Sequence, residues 1–106
     1  MRSPQPLAVV ALSRRFDLRP AAAAVLVSLY RNRHPRPWNR LGPSADLVRV
    51  YISQIRQIMG AHAITCDYSG GYTLGDTARK EIRQALEELY AEVSSFLQPL
   101  LLADAA

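Results

Sequence analysis

One segment, residues 44–59, constrains the fold of this chain more than any other. Ser44 stands where a hydroxyl can accept a hydrogen bond from a first-turn N–H, and Gly60 stands where helices commonly end. Between them, apolar side chains recur at every third or fourth position, which is the spacing of one helix face. They are Leu47, Val48, Tyr51, Ile52, Ile55 and Met59. The segment is therefore predicted to be an amphipathic helix with that face buried.

Two further helices are predicted before this central helix, over residues 6–16 and 21–30. The first places four side chains on one face, namely Leu7, Val10, Ala11 and Arg14. The second starts beside Pro20, whose missing N–H has no partner in a first helical turn, and ends before Pro35. A connector rich in proline and arginine follows, with room for one helical turn around Trp38, which is expected to anchor it in the core.

Two short strands are predicted after the central helix, over residues 63–67 and 72–74. Gly70 and Gly71 between them are expected to supply the positive φ angles that a tight hairpin turn needs. Cys66 is expected to be a small buried strand residue. The order helix, connector, helix, hairpin predicts a winged helix-turn-helix. The fold class is then α+β, mostly α with a small β-hairpin wing, an extra N-terminal helix and a long C-terminal helix.

That last helix is predicted to start with Asp76 or Thr77 as its cap and to run to about residue 97, before Pro99. Its apolar side chains are spaced alternately by four and three residues, as in a coiled-coil seam. They are Ile82, Leu86, Leu89, Val93 and Phe96, followed by Leu100. A helix with so short a seam is only marginally stable by itself. Its apolar side chains must therefore be covered by the domain's own core or by a second chain. Residues 1–75 are accordingly predicted to form the winged-helix domain, and residues 76–106 a dimerisation element.

Charge divides the chain into a basic and an acidic part, with a net charge of +4. Residues 1–66 carry ten arginines and two aspartates, whereas residues 67–106 carry three basic and seven acidic side chains. A GC-rich genome would explain arginine in place of lysine, but it does not explain why the two parts differ in sign. The pattern predicts that the first part meets a polyanion and the second meets protein or solvent.

Other function classes lack their characteristic residues. No apolar run approaches the roughly 20 residues that cross a bilayer, and the patch at residues 7–12 is too short for a secretory signal, so a cytoplasmic location is expected. One cysteine and two histidines provide neither a disulfide nor a metal site. Catalytic constellations and phosphate-binding glycine loops are not found. We expect no enzyme activity, no cofactor, no metal and no small-molecule substrate.

The central helix and the hairpin together resemble the DNA-binding domain of OmpR/PhoB-type transcription factors. The family pattern V-x-V-H-I-x-x-L-R-x-K-L-G is similar to residues 48–60, VRVYISQIRQIMG, and the family's closing G-Y-x-L is present at residues 71–74. The resemblance covers about residues 18–75. It implies a bacterial or phage transcriptional regulator whose central helix enters the major groove of double-stranded DNA. The family's wing arginine is matched here by Tyr68, so a different wing contact is expected.

Three sets of side chains are candidate DNA contacts. Arginine and glutamine on the outward face of the central helix suit direct readout of guanine and adenine, and arginines in the connector suit phosphate contacts. The central helix contributes Arg49, Ser53, Gln54, Arg56 and Gln57, the connector Arg31, Arg33, Arg36 and Arg40, and the wing Tyr68 and Ser69. For each set the ordinary alternative is a solvated polar surface. A homodimer would place its two central helices about 10 bp apart.

A protein-binding adaptor is the alternative function, because winged helices also serve as interaction modules. In that interpretation the acidic, apolar-striped last helix is the active surface, and the arginines meet an acidic partner.

Overall fold

A computed structural model describes the backbone of residues 6–105 and the side chains of residues 6–95. Its elements in chain order are α1 (Leu7–Phe16), α2 (Pro20–Arg31), the 3-10 turn η1 (Trp38–Arg40), α3 (Ala45–Met59), β1 (Ile64–Cys66), β2 (Tyr72–Leu74) and α4 (Asp76–Ala105). The predicted fold class, mostly α with a small β-hairpin wing, is confirmed. The predicted seam residue Phe96 lies among those whose side chains are not described.

Helix α2 forms the centre of the core. Its alanines and branched apolar residues bury six of its twelve positions, and α1, α3 and β2 all pack against it. Proline at the start of α2 is tolerated because a first-turn N–H has no helical partner. Helix α4 adds Ala78, Ile82 and Ala85 to the same core. Among the described side chains, none that is buried is polar or charged. One apolar core therefore joins all four helices and the hairpin.

The wing is an antiparallel hairpin with a third segment beside it. Ile64 pairs with Leu74 and Cys66 with Tyr72. On the other edge of β2, the Tyr72 N–H donates to the Arg36 carbonyl at 2.8 Å, and the Arg36 N–H donates to the Tyr72 carbonyl at 2.9 Å. The proline-rich connector between α2 and α3 is thus tied to the wing, which fixes the wing beside α3.

Only one glycine of the wing turn has the positive φ that was predicted for both. Gly70 has φ of 83°, whereas Gly71 does not fall in that region. Gly71 is required for a different reason, because a Cβ there would lie 2.7 Å from the Cβ of Pro35. The connector therefore crosses the turn so closely that a side chain at position 71 would not fit.

Helix α4 begins one or two residues earlier and ends later than predicted. Gly75 precedes the helix, so Asp76 is not its cap. Asp76 lies in the first turn, where its carboxylate interacts favourably with the helix dipole. The helix also continues through Pro99 to Ala105. A proline removes one helical hydrogen bond and kinks a helix without always ending it, and the leucines and alanines after Pro99 are strong helix formers.

Arg79 connects the start of α4 to the end of α2 through hydrogen bonds. Its Nη1 donates to the Tyr30 carbonyl at 2.7 Å and its Nη2 to the Leu29 carbonyl at 3.3 Å. The same guanidinium carbon lies 5.5 Å from the centre of the Tyr30 ring. Arg79 thereby provides a donor for the Tyr30 carbonyl in the last turn of α2 and shares the Leu29 carbonyl with the Asn32 N–H.

Three predictions about burial are wrong, and α1 buries a face that its spacing did not indicate. That face carries Val9 and Leu12. Cys66 is exposed, because it lies at the end of a two-stranded sheet with one open face. Trp38 and Leu47 are each 42% exposed, since the connector lies at the surface and Leu47 lies in the first turn of α3, which follows it.

Candidate nucleic-acid interface

Helix α3 is held at both ends and along one side. The Ser44 Oγ accepts from the Leu47 N–H at 3.2 Å, as predicted for its cap, and the helix ends at Gly60, whose φ is 106°. Val48, Ile52 and Ile55 are buried against the core. The helix is 15 residues, or about 22 Å, long, so its opposite side forms a long outward surface.

Three predicted contact residues form a ridge along that outward surface. Two shallow depressions of about 290 Å³ and 420 Å³ flank α3, and Arg49, Ser53 and Gln57 line both of them. The first depression lies toward the wing and is also lined by Tyr72, and the second is also lined by Arg19, which directly precedes α2. The three side chains are exposed and lie four residues apart, one helical turn from one to the next. They would be the first part of α3 to meet a flat or convex partner.

Arg49 is the basic member of the ridge and is only weakly engaged within the chain. Its Nη1 lies 3.7 Å from Oδ1 of Asp46, and both side chains are largely in solvent. Such an exposed pair contributes about 0–1 kcal/mol, so a phosphate or a guanine could displace Asp46 at small cost. Gln54, by contrast, is half-buried on the side toward α2.

Arg56 has a partner inside the molecule. Its Nε and Nη2 donate to the Ile64 carbonyl at 3.1 and 2.8 Å. Ala63 and Asp67 make the backbone hydrogen bonds to the opposite strand, so the Ile64 carbonyl faces the outer edge of β1. Arg56 therefore connects α3 to the wing, and this edge of its guanidinium is not available to a base.

The four connector arginines do not form one cluster. Arg36 is half-buried, and its Nη1 donates to Ser28 Oγ at 3.1 Å. Arg33 lines a separate depression beside Asp76 and Arg79, to which no residue of α3 contributes. Arg31 and Arg40 are exposed at the end of α2 and in η1, and η1 packs against α3. Of the four, Arg31 and Arg40 lie in elements that contact α3.

The tip of the wing is held by Asp67. Its Oδ1 accepts from the Ser69 Oγ at 2.7 Å, the Gly71 N–H at 2.8 Å and the Ser69 N–H at 3.0 Å. The hydrogen bond from the Ser69 hydroxyl and those from the backbone lower the pKa of the Asp67 carboxyl below its ordinary value. Ser69 is thus engaged within the turn, whereas Tyr68 is fully exposed beside it. An uncharged aromatic tip next to a carboxylate favours stacking or hydrogen bonding over a phosphate contact.

Arg19 was not among the predicted contact residues. It precedes Pro20 at the N-terminus of α2 and shares the larger depression with Arg49 and Gln57. Its position directly before a first-turn proline was visible in the sequence. Its closeness to α3 depends on how α2 crosses α3, which the sequence does not show.

The predicted dimerisation residues have different environments. Ile82 is completely buried in the core of its own chain, so its assignment to a contact with a second chain is wrong. Leu86, Leu89 and Val93 are half-buried. The first part of the seam therefore completes the chain's own core, and a second chain can reach only what lies beyond it.

Within residues 6–105, none of the helices combines the length and the apolar composition needed to cross a bilayer. The described side chains also bring together no group of three or more histidine, cysteine, aspartate or glutamate residues that could hold a metal ion.

No family model matches the chain, and neither a curated protein nor a solved structure matches it. The resemblance of residues 48–74 to OmpR/PhoB-type factors therefore remains a prediction from the sequence.

Proposed function

We propose that this chain is a sequence-specific regulator that binds double-stranded DNA and places α3 in the major groove. The observation that carries the proposal is the exposed ridge of Arg49, Ser53 and Gln57 between two depressions. A major groove about 12 Å wide admits a helix, and arginine and glutamine can each make paired hydrogen bonds to one base. Transcriptional control and a cytoplasmic location belong to the same proposal.

Charge on neighbouring elements supports this orientation. Arg19 lies beside the ridge, and Arg40 lies in η1, which packs against α3. Arginines at the edges of a groove are placed for phosphates, which supply affinity without sequence information. We further propose that two chains act together, because a dimer reads two half-sites and gains the specificity that one short helix lacks.

Binding to random duplex DNA at several salt concentrations tests the proposal. If about five phosphates are neutralised, log affinity should fall with log salt with a slope of about −4 to −5. Selection from a random duplex library, followed by gel shifts, should then yield a preferred sequence. Absence of binding at low salt would contradict the proposal.

Arg49→Ala is the variant that tests most directly whether the ridge contacts DNA. We expect a loss of about 1–3 kcal/mol, or roughly 5- to 150-fold in affinity, on the selected sequence. The loss should be confined to one base position if Arg49 reads a guanine, and should apply to all sequences alike if it contacts phosphate. Arg83→Ala, which removes an exposed arginine of α4, is the matched control and should leave affinity within about twofold.

A protein-binding adaptor is the second candidate, and one observation favours it. An apolar groove lies between α1 and α4, away from α3. An adaptor would bind duplex DNA weakly or not at all at low salt. The same titration therefore separates the two functions.

A further inference from the structure

Helix α1 carries two apolar faces, and the core uses only one of them. Val9 and Leu12 are buried, and Phe16 packs beside them. Leu7 and Val10 lie on the other face, where Leu7 is 57% exposed and Val10 is half-buried. A ten-residue helix needs only one apolar face to pack on a domain. The second face needs a further explanation.

That second face forms one side of a groove, and α4 forms the other. The groove has a volume of about 350 Å³, and its apolar floor is built by Leu7, Val10, Ala11, Ala85 and Leu89. It lies on a different part of the surface from the α3 ridge, because none of the ridge residues lines it. Any partner in this groove would therefore leave α3 free for DNA.

The two rims of the groove carry opposite charges. Arg14 and Arg15 stand on the α1 rim, and Glu88 and Glu92 stand on the α4 rim, all exposed. These charges do not pair across the groove, since the one ion pair among the side chains of residues 6–95 joins Arg49 and Asp46. Glu88 accepts only a 3.4 Å hydrogen bond from Gln84, on its own helix. Both rims are thus open to charges from outside the chain.

We propose that this groove binds a second copy of the chain. The inference rests on the dimer proposed above and identifies the surface through which the two chains contact each other. In a two-fold interface the same surface of both chains is in contact. Each contact between two residues therefore occurs twice, once in each direction. A groove with one basic and one acidic rim is complementary to itself in that arrangement, because each basic rim can face the acidic rim of the partner. A purely acidic or purely basic peptide would match one rim and be repelled by the other.

This dimer differs from the coiled coil that the α4 spacing predicts. The first part of the seam is covered by the chain's own core, since Ile82 is completely buried and Ala85 is nearly so. The contact must then use α1 together with α4 from Glu88 onward. Because α1 and α4 both pack on the domain, the interface also fixes how far apart the two α3 helices are held.

Reversal of the rim charges tests the inference without DNA. One variant combines Arg14→Glu with Arg15→Glu, and the other combines Glu88→Arg with Glu92→Arg. Mass in solution, measured by sedimentation at micromolar concentrations, should show a wild-type dimer and two monomeric variants, with dimer affinity weakened on the order of 100-fold. An equal mixture of the two variants should form a dimer again, because each rim then faces its opposite charge.

Controls separate this interface from a general effect of charge. Glu87→Arg makes a similar change on another face of α4 and should leave the dimer intact, and circular dichroism checks that each variant keeps its helices. A monomeric wild type, or a dimer that both double variants leave unchanged, would overturn the inference. If the wild-type dimer responds to the charge reversals as expected but does not bind duplex DNA, the proposed function is contradicted. The assignment of the groove to the dimer contact would still hold.

Discussion

The two halves of α3 carry the same sequence pattern but are held in different ways. Arg49 and Arg56 are seven residues apart, which places them on nearly the same side two turns from each other. Arg49 is exposed and makes one weak ion pair, whereas Arg56 donates two hydrogen bonds to the Ile64 carbonyl. Helical periodicity therefore tells which side a residue faces, and the neighbouring element decides whether its side chain is free.

Apolar positions of α3 do not divide in the same way, because each half has a buried and an exposed member. Val48 and Ile55 are completely buried, whereas Leu47 and Ile58 are 42% and 43% exposed. The second half differs in its link to the wing, because Arg56 donates to the Ile64 carbonyl of β1. The second half is thus the structural joint between helix and wing, whereas burial alternates along the whole helix.

The largest expected difference along α3 is between a buried and a partly exposed apolar position. Ile55→Ala should lower the free energy of unfolding by about 2–5 kcal/mol, because it leaves a cavity in the apolar core. Leu47→Ala is the matched variant at a partly exposed position and should cost about 1 kcal/mol, since Leu47 is already 42% exposed. Urea denaturation at equal protein concentration measures both. Equal losses would show that the two positions are buried alike.

The next difference is between the two arginines. Arg56→Ala should cost about 1–2 kcal/mol, because it removes a charged donor pair from the Ile64 carbonyl at a half-exposed site. Arg56→Lys should restore less than half of that loss, since a single ammonium cannot present two parallel donors. Arg49→Ala should stay within about 0.5 kcal/mol of wild type. If Arg49→Ala destabilises the fold as much as Arg56→Ala, the contrast between the halves fails.

A smaller effect is expected at the start of α3. Ser44→Ala removes the acceptor for the Leu47 N–H and should cost about 1 kcal/mol. Ser53→Ala makes the same chemical change on the exposed ridge, where alanine is the better helix former, so it should be neutral or stabilise by up to about 0.5 kcal/mol. Thermal unfolding of the two variants measures the difference. A loss at position 53 equal to that at position 44 would rule out a specific capping role.

The smallest effect concerns the wing that Arg56 holds. The folded pKa of Asp67 is lowered, so its carboxylate stabilises the turn above the unfolded pKa, and this contribution is lost as the pH falls below about 4. Amide proton shifts of Ser69 and Gly71, followed by NMR during acidification, should therefore move together in that range. In Asp67→Asn the shared titration should disappear. A titration that persists in this variant would assign it to another group.

Much of the fold could be predicted because its signals are local. The cap at Ser44, the stop at Gly60 and the proline at the start of α2 were all confirmed. Each depends on backbone hydrogen bonds within one turn, which the neighbouring residues in the chain determine. The strand at Tyr72–Leu74 was also predicted with its observed bounds.

Less of the candidate site could be predicted. Arg36 and Arg56 were grouped with free surface arginines, yet each makes a hydrogen bond to a group eight residues away. Arg19 was missed because only the packing of α2 beside α3 brings it to the ridge. Cys66 and Trp38 were expected inside, but a two-stranded wing and a short connector have too few neighbours to cover them.

By itself, the sequence determined where most helices and strands begin and end, because capping, turn formation and apolar spacing act over a few residues. Only the tertiary structure decided which face of α1 enters the core and which arginines donate hydrogen bonds to other elements of the chain. It also decided how much of the α4 seam is buried in the chain's own core. These outcomes depend on contacts between residues far apart in the chain, such as Arg79 with the carbonyl of Tyr30. No local pattern encodes such a contact, because it exists only after the elements have packed.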